Sequence, residues 1–206
     1  MRGGDNSREP LDGFSRIGHR VQPTDEQLMD AVTHGDSAAL RPLVERHHAP
    51  LLGFLYRMVG GDHHLAEDLV QETFLRLIRQ RTYAAGRPFK PWLYAIAANL
   101  AHDHFRSPSA AAPIAGDLEM LGLADPAPGP ESMAISSDTR GVLMSTLALL
   151  PHEYRATILL RFFEDMSLAD IASATNVPLG TVKSRLSEGT RKLRELLSNL
   201  DIRPSQ

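Results

Sequence analysis

The sequence predicts an all-α protein: two small helical domains joined by a flexible, acidic, proline-rich linker, with a helix-turn-helix in the C-terminal domain. Three observations carry that prediction. Apolar residues recur at steps of three and four from Leu28 to Leu100 and again from Val142 to Leu200, and no stretch alternates as a half-buried strand would. Between them, the segment from Ser107 to Pro130 has no sustained period and carries Pro108, Pro113, Pro126, Pro128 and Pro130. Finally, Ser167 to Leu197 reads as a short helix, a tight turn and a longer helix with a polar, basic front end.

The helices follow in order. Residues 1–23 lack periodicity and read as a disordered tail. Thr24-Asp25-Glu26-Gln27 is a capping box, opening a helix through Leu28, Ala31 and Val32. Asp36 is placed to cap a longer helix bearing Leu40, Leu43, Val44, His47, Leu51, Phe54, Leu55 and Met58, which Gly60-Gly61 ends. Asp62 starts a third, with Leu65, Leu69, Phe74, Leu77 and Ile78 as its apolar set. After the Gly86-Arg87-Pro88 loop, Pro91 suits the first turn of a fourth, which buries Trp92, Leu93, Ile96, Ala97 and Leu100. Residues 24–106 thus form one domain, 107–136 the linker and 137–203 a second domain. That second domain opens with a helix over Val142 to Leu150, followed after Pro151 by one through Tyr154, Ile158, Leu159 and Phe162.

In the last motif, Ser167 is the N-cap and Asp170 can reach back to it. Pro178 disfavours a helical Val177 and so breaks the chain there. Beyond Gly180, Val182, Leu186, Gly189, Leu193, Leu196 and Leu200 form one buried stripe, while Thr181, Lys183, Ser184 and Arg185 stand off it. Short polar and cationic groups at the front of a helix fit the DNA major groove, where they can meet phosphates and base edges.

A net charge of −3 does not advertise a nucleic-acid binder, but the distribution does. Thr24 to Leu75 is acidic. Arg76 to Arg106 holds Arg76, Arg79, Arg81, Arg87, Lys90 and Arg106 against Asp103 alone, and Ser107 to Thr139 has five acids and no base. The absence of cysteine rules out a disulfide scaffold, a cysteine nucleophile and cysteine-ligated zinc. No run approaches 18 apolar residues and no signal-peptide core precedes the first helix, so a chain that does not insert into membranes is expected.

Three collinear stretches then carry a likeness. AEDLVQETFLRL (Ala66 to Leu77), KPWLYAIAANLAHDHFR (Lys90 to Arg106) and LPHEYRATILLRFFEDMSLADIASATNVPLGTVKSRL (Leu150 to Leu186) resemble, in order and spacing, the bacterial sigma-70 factors of the extracytoplasmic-function (ECF) group. The resemblance implies a cytoplasmic bacterial protein that binds core RNA polymerase, through its β′ and β subunits, and directs initiation at promoters with −10 and −35 elements. It assigns polymerase binding to Asp68, Gln71 and Glu72. It assigns the melted −10 strand to Tyr83, Arg87, Phe89, Lys90, Trp92, Asn99 and Arg106, with basic groups tracking phosphates and aromatics holding unstacked bases. It assigns the duplex −35 element to Thr181, Lys183, Ser184 and Arg185, with Arg155 as a backbone contact. The same resemblance has the acidic linker thread polymerase channels and implies an anti-sigma partner.

Two positions depart from the family. Ala98 stands where a basic residue is common, and Glu188 lies in a turn that is frequently basic. Glu188 shares the face of Thr181 and Ser184, where a carboxylate repels phosphate unless it accepts from a cytosine amino group, and it is expected to weaken or narrow −35 binding.

Other readings explain less. His63 and Glu67, or His64 and Asp68, are spaced for two metal ligands on a helix, but no third ligand converges and no HExxH occurs, so neither metal nor cofactor is expected. Without a phosphate loop, nucleophile elbow or catalytic carboxylate pair, no enzyme and no catalytic residue is expected. A dimeric helix-turn-helix regulator would account for Ser167 to Leu197 but not for the two N-terminal matches.

Overall fold

A computed structural model describes residues 22–79, 83–84, 86–106 and 137–199. Its regular structure is helical throughout these residues: α1 (Asp25–Thr33), α2 (Leu40–Met58), α3 (His63–Arg79), α4 (Phe89–Arg106), α5 (Ser137–Leu149), α6 (His152–Phe162), α7 (Leu168–Thr175) and α8 (Leu179–Asn199). The tail before Gln22 and the linker 107–136 lie outside the described residues.

Local chemistry sets most helix starts. At α1 the Gln27 N–H donates to the Thr24 hydroxyl and the Thr24 N–H to the Gln27 side chain, a complete capping box. Asp36 caps a 3₁₀ turn (Ser37–Ala39) that runs on into α2, rather than α2 itself. Gly60 and Gly61, both at positive φ, turn the chain after α2. Asp62 then accepts the Leu65 N–H at 3.0 Å. Ser167 caps α7, but Asp170 binds the Ser167 hydroxyl rather than its backbone N–H, so this is not a capping box. Asn176 closes α7 in the left-handed region, at φ 51°.

The start of α4 is set from a distance. The Phe89 N–H donates to the Glu26 carboxylate at 3.0 Å, tying α4 to α1. Beside it, Asp25 accepts from Arg46 at 2.8 Å and meets His47 Nε2 at 2.6 Å, which fastens α1 to α2. Leu43, Leu51, Phe54, Leu55, Leu77, Phe89, Leu93 and Tyr94 fill the core of this first unit.

The second unit packs Leu147, Leu150, Leu159, Leu160, Met166, Ile171 and Val182. Here α6 and α8 approach closely at Gly189, where a Cβ would lie 3.1 Å from Ile158 Cδ1 and 3.2 Å from Tyr154 Cβ.

The sequence leads one to expect two modules held by a tether. In the structure they also touch, and one hydrophobic cluster runs through both. Among the described helices, the most extensive contact is between α4 and α7, one from each unit. Both helices bury small residues, Ala97, Ala98 and Ala101 on α4 and Ala174 on α7, which suits a close approach.

Candidate polymerase and promoter interfaces

The first candidate surface is the outer face of α3. Asp68 and Gln71 are exposed, and Glu72 is half-buried with its carboxylate 3.1 Å from Arg76 Nε. Steps of three and four continue that face to Leu75 and Ile78, which are 44% and 46% exposed. Ile78 was expected in the core, yet it lies outside. An acidic and polar turn followed by two uncovered aliphatic residues is chemically a docking stripe. Sequence periodicity gave Leu75 no role, although counting from Asp68 by helical steps reaches it.

The second surface surrounds the start of α4. Arg87 and Lys90 are half-buried, while Asn99 and Arg106 are exposed. The aromatic expectations need correction. Tyr83, Phe89 and Trp92 are 9%, 0% and 4% exposed and pack on one another, with ring centroids 4.9 Å apart for Tyr83–Trp92 and 6.0 Å for Phe89–Trp92. The Tyr83 hydroxyl donates to the Arg87 carbonyl. These rings shape the 83–89 loop from within and present no open face to a base. Apolar rings find more area to bury in the core than at the surface.

The third surface is the front of α8. Lys183 and Ser184 are exposed, and Thr181 and Arg185 are half-buried. The Ser184 hydroxyl donates to the Thr181 carbonyl. Arg155 is not on this surface: it is 6% exposed and donates to the carbonyls of Met58, Ala148 and Leu150. Burial pulls its pKa down to about 10, which still leaves it charged at neutral pH.

Glu188 is half-buried and already engaged. Its two oxygens accept from Arg191 Nε and Nη2 at 3.0 and 2.6 Å, and Lys192 lies 3.7 Å away. The Arg191 hydrogen bonds hold its carboxyl below the ordinary range.

Between the units is a cleft of about 150 Å³, whose lining includes Asn99 and His102 from α4, His152 from α6, Thr175 and Val177 beside α7, and Arg185 from α8. The His102 and His152 rings stand 4.4 Å apart across it. Burial lowers the pKa of His152. Among the described residues no group of three or more His, Cys, Asp or Glu side chains could hold a metal, and no helix is long and apolar enough to cross a membrane.

Comparison with known proteins fits this geometry. The Sigma-70 region 2 family model matches residues 43–110, and the Sigma-70 region 4 model matches residues 140–193. The ECF RNA polymerase sigma factor SigW of Bacillus subtilis (strain 168) is 33% identical over 178 residues, 82% of this chain and 94% of SigW. SigE of Mycolicibacterium smegmatis, also an ECF RNA polymerase sigma factor, is 36% identical over 191 residues, 86% of this chain and 71% of SigE. Two solved structures share the fold. CnrH, determined with the cytosolic domain of CnrY, has a TM-score of 0.64 at 22% identity, covering 85% of this chain and 97% of its own. RpoE of Bartonella quintana, determined with the anti-sigma factor NepR, has a TM-score of 0.59 at 23% identity, covering 77% and 96%.

A first helical unit matched by the region 2 model and a helix-turn-helix unit matched by the region 4 model define a promoter-recognising transcription initiation factor. The chain belongs to the sigma-70 family of RNA polymerase sigma factors, in its ECF group. It works with core RNA polymerase on promoter DNA, and its relatives are sigma factors, which are not enzymes.

Proposed function

We propose a division of labour within that function. Residues 24–106 grip core polymerase through Asp68, Gln71 and Glu72, with Leu75 and Ile78 completing the contact, and read the melted −10 strand through Arg87, Lys90, Asn99 and Arg106. Tyr83, Phe89 and Trp92 support that reader from beneath. Residues 137–203 read the −35 duplex through Thr181, Lys183, Ser184 and Arg185, and residues 107–136 link the two within polymerase. The protein acts in the bacterial cytoplasm and catalyses no reaction of its own. As CnrH and RpoE were solved with CnrY and an anti-sigma factor, a partner of that kind holds this chain in reserve.

The observation that carries this reading is the chemical difference between the two exposed faces of the first unit. The α3 stripe of Asp68, Gln71, Leu75 and Ile78 is acidic, amide and aliphatic, a surface for protein; Arg87, Lys90, Asn99 and Arg106 around α4 are cationic and amide, a surface for a nucleic-acid strand. Run-off transcription tests it with core polymerase carrying no other sigma factor. Specific initiation should appear with the wild-type chain, be lost with Asp68→Lys through weakened core binding, and be lost with Arg87→Ala while core binding survives. Loss of core binding in both variants would sink the division of labour.

A further inference from the structure

The loop after α6 carries Glu164 away from its own helix bundle and into the first unit. Glu164 is 6% exposed. The hydroxyl of fully buried Tyr94 donates to Glu164 Oε2. Burial and the adjacent Glu164 carboxylate raise the Tyr94 pKa, so the hydroxyl keeps its proton and remains a donor. Lys90 donates to the Glu164 carbonyl at 2.7 Å, and its Nζ lies 3.5 Å from Oε2. The next residue, Asp165, takes a left-handed φ of 50° and is fully exposed, so two adjacent acids have opposite fates.

We infer that Glu164 is a built-in substitute for a DNA phosphate, holding the chain in a closed state in which its own second unit occupies Lys90 at the edge of the −10-reading face of the first. This rests on the proposed reading of Lys90 as a strand contact. A carboxylate oxygen within reach of an ammonium group is what an approaching phosphate would offer, and Lys90 cannot fully serve both. The same seam engages other polar groups. Arg155 spends its guanidinium on the Met58 carbonyl at the end of α2, and Asn99 and Arg185 line opposite walls of one cleft. Arg57 lies over the Phe163 ring, 4.5 Å from its centroid, beside the same seam.

The seam is suited to opening. Its polar contacts exchange well-hydrated charges for desolvated partners, so the attraction is largely offset by the cost of leaving water. Alanine-rich helix faces add little apolar area per residue. A binder that needs the open chain then sees its affinity reduced by the fraction of molecules that are open.

The test uses the full chain and a fluorescein-labelled 15-nucleotide oligothymidylate, which offers phosphates without requiring the promoter sequence. Fluorescence anisotropy should show weak binding by wild type and binding about tenfold tighter by Glu164→Gln and by Tyr94→Phe, as expected for loss of a charge-assisted hydrogen bond. Tyr94→Phe alters no charge. Asp165→Asn makes the same charge change as Glu164→Gln outside the seam, at a φ that asparagine tolerates, and should gain much less. Adding Lys90→Ala to Tyr94→Phe should abolish the gain. In parallel, the chain has no native cysteine, so Asp103→Cys and Ser173→Cys on α4 and α7 can carry spin labels. Wild type should give one narrow distance distribution that broadens in Glu164→Gln. Equal gains for Glu164→Gln and Asp165→Asn, or a distribution already broad in wild type, would overturn the closed state. A gain that survives Lys90→Ala would overturn the proposal at its premise, the strand contact by Lys90, even with closure intact.

Discussion

The Glu26 carboxylate, on the first helix, accepts the backbone N–H of Phe89 at 3.0 Å and so caps a helix 63 residues away. An N-terminal amide left without its partner weakens a helix start, and this one lies directly beneath Lys90. Glu26→Ala should therefore cost about 1 kcal/mol in denaturant unfolding, whereas Glu26→Gln, which keeps an acceptor, should cost less. The Phe89 N–H also holds the Glu26 carboxyl below its ordinary pKa of 4.5. Its contribution is present above that value and is lost as pH falls through the lowered one. Unfolding midpoints measured from pH 5 to 3.5 should fall less steeply in Glu26→Gln than in wild type.

Gly189 sits where α8 crosses α6, with no room for a branched side chain. The Tyr154 Cβ it would strike cannot swing aside as a side-chain tip could. Gly189→Val should destabilise by about 1–3 kcal/mol. Gly180 has open space around its Cα, and Gly180→Ala should be neutral or stabilising by up to about 1 kcal/mol. Urea midpoints of the two variants check this, and equal losses would contradict the crossing geometry.

His152 faces His102 from α4, Glu153 and Arg155 from its own helix, and Arg185 from α8, with Asp103 reaching only the His102 ring, at 4.0 Å. Burial is the largest influence on it and lowers its pKa; Glu153 opposes, while His102, Arg155 and Arg185 reinforce. With its pKa lowered in the folded chain, the unfolded chain binds the extra proton first. Stability should be level above about pH 6.5 and decline as pH falls from there toward the lowered value. Thermal midpoints at pH 7.5 and 5.5 should differ more in wild type than in His152→Gln.

Leu75 is uncovered beside Asp68 and Gln71, so it should add to polymerase affinity without supporting the fold. Leu75→Ser is expected to weaken core polymerase binding about tenfold with an unchanged melting temperature. Titration of labelled protein with core enzyme measures the first and calorimetry the second. A melting temperature that falls with affinity would assign Leu75 to the core.

Glu188 neutralises Arg191 on its own helix, which softens the repulsion expected from sequence alone. Glu188→Arg leaves Arg191 paired with Glu195 alone and adds a cation. Duplex binding to the protein's own promoter should tighten, and the slope of log affinity against log salt should steepen by about 0.9 for each phosphate gained. An unchanged slope would place Glu188 away from DNA.

Features set by neighbouring residues were legible in the sequence. Thr24 with Gln27, Asp62 and Ser167 act within a few residues of their own backbone, and the structure places each at the helix end it marks. The periodic stripes likewise located the helices. Pairings between distant segments leave no periodic trace. Glu164 and Asp165 are adjacent acids, yet one is buried against Tyr94 and the other fully exposed. The family resemblance assigns Arg155 to the DNA backbone, while its partners are carbonyls contributed by three separate positions. The resemblance assigns Tyr83, Phe89 and Trp92 to unstacked bases, and burial places all three rings in the core.

The pairing of Tyr94 with Glu164 also puts the two units on a clock. Their 70-residue separation takes roughly 4–14 s to translate at about 5–20 residues per second. Once Arg106 has been added, for most of that interval, the first unit can be complete while the face of α4 has nothing to close on. Every newly made molecule therefore begins with its strand-reading surface open, and the order of synthesis alone makes closure the later event.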